Sequence, residues 1–289
     1  MLTLILFPGA LVASGSAVPN AGERIFSLAG HNVTDTILTG WIVSGIIILL
    51  VRCLLRGGVH TIPTHGQAVI EYLINGLQSL FKPIVGEKMF HHIFPLLIGY
   101  FVFILVHNWS GLLPGVGSIA VITDGAPRFL LRPTNSDLNT TLALALFSVF
   151  AWAYYTIRYS GPRAFYHEIF GNKANKSDMG SVMYSFLFFI FLAVGLIECL
   201  SVLFRVVSLS FRLYGNVFGG ENLLHYMTGF SEVLQKYSIV RYLAYLLPLP
   251  FYLLEFLVGL IQASVFTLLV SVYVGLISNQ EEESSVENI

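Results

Sequence analysis

VMYSFLFFIFLAVGLIECLSVLFRVVSLSFRLYGNVFGGENLLHY, residues 182–226, is an apolar run of 45 residues in which charged side chains recur. The hydrocarbon core of a bilayer is about 30 Å thick and is crossed by about 20 helical residues. An unbroken helix of about 40 residues reaches roughly 60 Å, so this run must tilt steeply, project from the bilayer or fold into a hairpin. Within it stand Glu198, Arg205, Arg212 and Glu221, together with Asn216 and His225. A charge at the bilayer centre costs about 2.5–3.5 kcal/mol on insertion scales, so each needs a partner, a water-filled cavity or a task.

Their spacing sorts them by face. At 100° per residue, Glu198, Arg205 and Asn216 fall within about 40° of Arg212, whereas Glu221 falls about 180° away with His225 one turn beyond. Ser208, Gly215 and Gly219 flank Arg212. Small residues let a second helix approach the backbone closely, so something packs or slides against this face. A second long run, residues 240–278, carries Glu255 and Gln262 on one face, about 10.5 Å apart along the axis. If Gln262 is level with Arg212, the opposite chain directions bring Glu255 close to the depth of Glu221, about 13.5 Å outward of Arg212. The two carboxylates then line one outer cavity. Pro248 and Pro250 are placed to bend this run, because an internal proline removes a backbone hydrogen bond.

The rest of the chain fits a lipid setting. Of its 289 residues, 55% are hydrophobic and 11% charged, against roughly 25% charged in soluble domains, and the mean hydropathy is +0.76. Further spans are expected at 36–56, 92–113 and 138–158, which makes an all-α membrane protein of about five transmembrane helices. Residues 66–82 read differently: Val69, Ile70, Leu73, Leu77, Leu80 and Phe81 form one stripe, and Glu71, Asn75, Gln78 and Lys82 the opposite one. That is an amphipathic helix lying in the interface.

The expected organisation is an N-terminal segment 1–34, a membrane domain 35–278 and a disordered acidic tail 279–289. MLTLILFPGALVASGSAV at the start has the apolar stretch and small residues of a secretory signal but lacks its basic beginning, so cleavage and retention both fit the sequence. With the N-terminus outside, eight lysines and arginines of the connecting segments fall on the cytoplasmic side and five outside, which favours that orientation and a cytoplasmic C-terminus.

The net charge of -1 and the lack of a basic block exclude a nucleic-acid binder. Cys53 and Cys199 lie in separate apolar runs, with neither a disulfide nor a metal-ligand spacing. No cofactor is expected, and no GxxxxGK[ST] loop occurs, so nucleotide chemistry would belong to partners.

Arginine is the informative residue. Its pKa above about 12 keeps it cationic where a lysine would give up its proton, so Arg212 blocks proton hopping through its own position and attracts a passing carboxylate. Glutamates in low-dielectric surroundings can load and release protons near neutrality. Acids on either side of a permanent cation form a proton path with an insulator in it. An ion pair within the helix is the simpler account of Glu198 and Arg205, two turns apart on one face. Arg212 has no acid within four residues. A self-contained channel or transporter would use the same acids, but the two related halves expected of many transporters are not visible. A haem subunit would need facing histidine pairs, which His91, His92 and His107 do not form.

SLSFRLYGNVFGGE, residues 208–221, resembles the signature stretch of subunit a of F-type ATP synthases, in which an essential arginine sits in R-L-F/Y-G-N. IQASVF at 261–266, HNWSGLLP at 107–114 and PTNSDLN at 133–139 are similar to further motifs of that family, in the same order. The resemblance covers roughly 35–278 and looks bacterial in type. It implies a stationary subunit of the membrane sector that embraces a ring of c subunits with two long, strongly tilted helices. It also implies peripheral-stalk b subunits, the holoenzyme, lipid and protons as partners, and a bacterial inner-membrane location. By motif position it assigns the essential arginine to Arg212, the helix asparagine to Asn216 and the outer acid to Glu221. It likewise assigns the last-helix glutamine to Gln262, the cytoplasmic-side acid to Glu198 and the third-segment asparagine to Asn108. Glu255 stands where some members carry histidine, and His225 has no counterpart. Ion choice, proton or sodium, is set mainly by the rotor.

Overall fold

The structure, a computed structural model, describes residues 3–6, 22, 24–28, 31–58, 60–113, 119–123, 126–129, 132–170, 181–235 and 246–286. Helices α1 (Asp35–Leu54), α2 (His65–Val85), α3 (Glu87–Ser110), α4 (Leu138–Phe170), α5 (Ser181–Gln235) and α6 (Leu249–Val286) carry the fold. Five of them contain stretches long and apolar enough to cross a membrane: Asp35–Leu54, Met89–Ser110, Leu138–Tyr159, Phe189–Ser231 and Leu249–Gly275. The sixth, α2, is the amphipathic helix expected from residues 66–82.

Two small antiparallel sheets, absent from the sequence reading, lie outside the spans. Strand β1 (Thr3–Leu6) pairs with β4 (Ile119–Thr123), which pairs with β5 (Ala126–Phe129); β2 (Arg24–Leu28) and β3 (His31–Thr34) form a hairpin. The register sets Leu4 against Val121 and Val121 against Arg128. Residues 7–21, where most of the N-terminal signal question falls, lie outside the described residues, as do 171–180 and 236–245.

Local chemistry sets the helix ends. Thr34 caps α1 and accepts a hydrogen bond from the Ile37 N–H at 3.4 Å, while Thr64 caps α2 by accepting from Gln67. An N-cap hydroxyl satisfies a donor that has no partner inside the helix. Between α2 and α3 the chain turns at Gly86, with φ 82°, a left-handed value that glycine adopts without a Cβ penalty. Lys82 bonds Glu87 across this corner at 2.7 Å and holds its exposed carboxyl below the usual carboxylate range. Helix α4 breaks at Gly161, with φ 83° and ψ 159°, and restarts at Pro162, whose missing N–H is tolerated in a first turn.

Of the three options for the long run at 182–226, the hairpin is excluded, because α5 is one helix of 55 residues, roughly 80 Å long. The two prolines do not bend the last helix. Pro248 precedes α6 and accepts bonds from Phe251 and Tyr252 at 3.1 and 3.0 Å, and Pro250 sits in the first turn, where no intrahelical donor is lost. At its other end α6 stays helical to Val286. Residues 279–286 of the acidic tail therefore continue the helix, in keeping with the good propensity of Glu and Gln.

The core is built from apolar stripes at helical spacing. On α3, Phe90, Ile93, Leu97, Phe101 and Ile104 are buried; they share one cluster with Ala263, Phe266, Val270 and Val274 of α6 and with Val206, Leu209, Leu213 and Val217 of α5. Leu77, Phe81 and Val85 dock α2 on this core, while Val69, Leu73 and Leu80 of the same stripe stay exposed, available to lipid. Gly275 of α6 lies against the Ile84 carbonyl so closely that a Cβ there would collide with it.

Candidate functional site

Connection 132–137, between β5 and α4, is the polar anchor of the site. It contains the 3₁₀ turn Thr134–Ser136 and is tied to α1 and α3 by buried bonds. Arg132 donates its N–H to Thr39 Oγ1 at 3.1 Å, Thr134 Oγ1 donates to the Thr36 carbonyl at 3.3 Å, and Thr36 Oγ1 donates to Asp137 at 3.2 Å. Asn135 Nδ2 donates to Asn108 Oδ1 at 2.8 Å, and Asn108 Nδ2 donates to the Gly259 carbonyl of α6 at 3.2 Å. Asn108 thus joins α3, α6 and the turn, with both ends of its amide engaged. Buried polar groups need such partners because desolvation without one costs about 1–3 kcal/mol.

Against this anchor sits Glu221 of α5. Its carboxylate receives Arg132 Nε at 3.2 and 3.3 Å and Nη2 at 3.4 Å. Asp35 and Ser136 also lie within electrostatic or hydrogen-bonding reach of it. The carboxylate of Glu255 lies against the neighbouring residue Gly220, in space that a Cβ would fill. The two acids expected to share a level therefore fall at adjacent positions of α5, Glu221 itself and Gly220. Glu255 has no ion pair among the described residues. His225, one turn farther out, is half-buried with its ring 6.0 Å from that of Tyr226.

One step deeper, Asn216 Nδ2 donates to Gln262 Oε1 at 3.0 Å. Gln262 is therefore within hydrogen-bond reach of Asn216, one turn along α5 from Arg212. Its Nε2 is buried and has no acceptor among the described residues.

Arg212 itself is exposed. Among the described residues it takes part in no ion pair or hydrogen bond. A Cβ at Gly215 or Gly219, on the same face, would meet nothing within 4 Å, so at these two glycines the stripe has no neighbour among the described residues. Arg205, one step inward, differs: it bonds Glu198 at 3.3 Å and lies 4.4 Å over the Tyr273 ring. The ion pair weighed from the sequence for Glu198 and Arg205 is present. Between α4, α5 and α6 opens a cavity of about 430 Å³, lined by Ser148, Trp152, Arg205, Ser208, Arg212 and Tyr273 among others.

Sequence reasoning missed Arg132 and Gly220. Arg132 immediately precedes the PTNSDLN stretch, but its partner lies 89 positions away and no periodicity links them. Gly220 was legible as a small residue, and only the packing of α6 gives it a task. Among the described residues no group of three or more His, Cys, Asp or Glu is arranged to hold a metal ion.

Comparison with known proteins places the sequence in a family. The family model described as ATP synthase A chain matches residues 37–275. ATP synthase subunit a of Gloeobacter violaceus is 31% identical over 241 residues, covering 83% of this chain and 82% of that protein. ATP synthase subunit a of Aliarcobacter butzleri is 29% identical over 259 residues, 89% of this chain and 95% of its own length. ATP synthase subunit a 2 of a Bradyrhizobium strain is 27% identical over 257 residues, 89% and 94%.

Proposed function

The chain belongs to the ATP synthase A chain family, and we propose that it serves as the stationary proton-conducting subunit of the membrane sector, with Arg212 facing the acid of a c-subunit ring. The observation that carries this reading is the state of Arg212, an exposed cation with no acid bonded to it among the described residues, on a face left open at Gly215 and Gly219. A guanidinium in the membrane needs a counter-charge, and a neighbouring rotor supplies one. Helix α5, roughly 80 Å long, follows a ring when strongly tilted.

Protons reach the rotor acid from outside through a half-channel at Glu221 and Glu255, with His225 at its mouth. Asn108 braces its wall, and the Asn216–Gln262 pair stands between these acids and Arg212. A neutralised rotor acid can face lipid and rotates away. After nearly a full turn it meets the inner cavity of about 430 Å³, which is lined by Arg205, the ion-pair partner of Glu198, and there the proton leaves. The resulting anion is drawn past Arg212, which stays cationic and so keeps the two half-channels from short-circuiting. Each charge that crosses gains about 2.3 kcal/mol per 100 mV, so several crossings are combined for one ATP. The partners are the c ring, peripheral-stalk b subunits and the rest of the holoenzyme, in a bacterial inner membrane, with the N-terminus outside and the C-terminus cytoplasmic.

Arg212→Ala should abolish ATP synthesis in energised vesicles while the subunit still copurifies with the c ring. Undiminished synthesis in that variant refutes the reading.

A further inference from the structure

We infer that Arg132, in the connection before α4, is a positioning residue for the outer acids: it clamps Glu221 in place and makes Glu255 the movable partner. The inference rests on the proton-conducting reading above.

The clamp is over-determined. The Arg132 side chain is only 5% exposed, and that of Glu221 23%, so neither swings freely in water. The guanidinium reaches both carboxylate oxygens, and such forked pairs fix orientation as well as charge. The backbone that presents Arg132 is held in turn. Its N–H is bonded to Thr39, the next residue is Pro133, and the Pro133 ring packs where a Cβ on Gly111 would have to sit. Bonds from Ser136 and Asp137 back to the Pro133 and Thr134 carbonyls close the turn. Helices α1 and α3 thus aim Arg132 at one point on α5.

The groups that face Glu221 are Arg132 and Ser136 from this connection and Asp35 from α1, while Glu255 of α6 lies against the adjacent residue Gly220. Arg132 is the cation among them. Glu255 has no cation beside it among the described residues and lies over a glycine, so its carboxylate can move where that of Glu221 cannot. The two acids are therefore unequal: Glu221 is a fixed station, and Glu255 the acid that approaches and withdraws. Without Arg132, Glu221 would lose its fixed position relative to Glu255.

The test uses the holoenzyme in inverted vesicles, with ATP-driven proton pumping as the readout and recovery of the subunit with the purified complex as the assembly control. Arg132→Gln is expected to assemble and to lower pumping about ten-fold, within the range of coupled charge pairs. Arg132→Lys, which keeps the charge, should recover most of that loss. Glu221→Asp keeps an acid but shortens its reach, so in that background Arg132→Gln should cost less than about two-fold more. Full pumping by Arg132→Gln overturns the inference. So do equal losses in both backgrounds, or a Lys variant no better than Gln, since a merely structural role gives that result. Should Arg132→Gln fail to assemble, Arg132→Lys carries the same comparison across the two Glu221 backgrounds. Loss of synthesis in Arg212→Ala with full activity in every Arg132 variant removes this inference and leaves the proposed function standing.

Discussion

Gly220→Ala separates stability from conduction, because the two should move in opposite directions. Gly220 lies inside α5, with a helical neighbourhood and no positive φ, and replacing glycine by alanine there favours the helix by about 1 kcal/mol. The added Cβ, however, would fall closer than 3.0 Å to the Glu255 carboxyl, a separation that real Cβ atoms essentially never show. The obstacle is the end of a flexible side chain, so the fold accommodates it and the carboxylate retreats by on the order of 1 Å. Proton transfer between acids needs heavy atoms within about 2.6–3.2 Å, directly or through one water, and a misplacement of about 1 Å can cost as much as 100-fold. The purified complex should therefore show an unchanged or higher thermal midpoint, while ATP-driven pumping in vesicles falls by about ten-fold or more. Wild-type pumping together with the expected stability would refute the argument that Glu255 must lie beside Glu221. A matched fall in both would point to a packing defect instead.

Two further substitutions probe the scaffold. Asn108→Ala strips Asn135, which is fully buried and has an unpartnered Oδ1, of its bond to α3 and frees the Gly259 carbonyl. The cost should be about 1–3 kcal/mol, read as a lowered thermal midpoint of the complex, and no change in midpoint would contradict the role of this amide as a strut. Gly275→Val forces the Ile84 backbone away from α6. Overpacking of this kind costs about 1–3 kcal/mol, so limited proteolysis within residues 55–64 should become faster, and an unaltered cleavage rate would count against α2 being pinned there.

The parts of the site that could be read in the sequence are those whose geometry is intrahelical. Glu198 and Arg205, seven positions apart on one turn-related face, form the pair their spacing suggests. Arg212 and Glu221, nine positions apart, fall on opposite faces of α5, Arg212 exposed and Glu221 against Arg132. The level shared by Glu221 and Glu255 was also accessible, since axial rise and opposite chain direction suffice to estimate it. The fine register was not: Gln262 pairs with Asn216, because the height at which two long helices cross is decided by side chains interlocking along their whole length. Arg132 was beyond periodicity altogether. Its partner is set by a folded connection whose own anchors come from α1 and α3, and pairing across 89 positions leaves no local pattern.

The charges of α5 and its neighbours thus divide by how they are compensated. Glu198 and Arg205 neutralise each other, and Glu221 is neutralised by Arg132, so each of these charges is held with its counter-charge inside this chain. Arg212 alone among the charged residues of α5 between 198 and 221 has no such partner among the described residues. An isolated protein would gain by supplying one, since an unpaired guanidinium at membrane depth is costly. On the proposed function, the missing partner belongs to another subunit. The acid of a turning rotor must also leave, so it cannot be a fixed residue of a static interface. A carboxylate that alternates between neutral and anionic states, attracted when charged and released when protonated, meets both conditions.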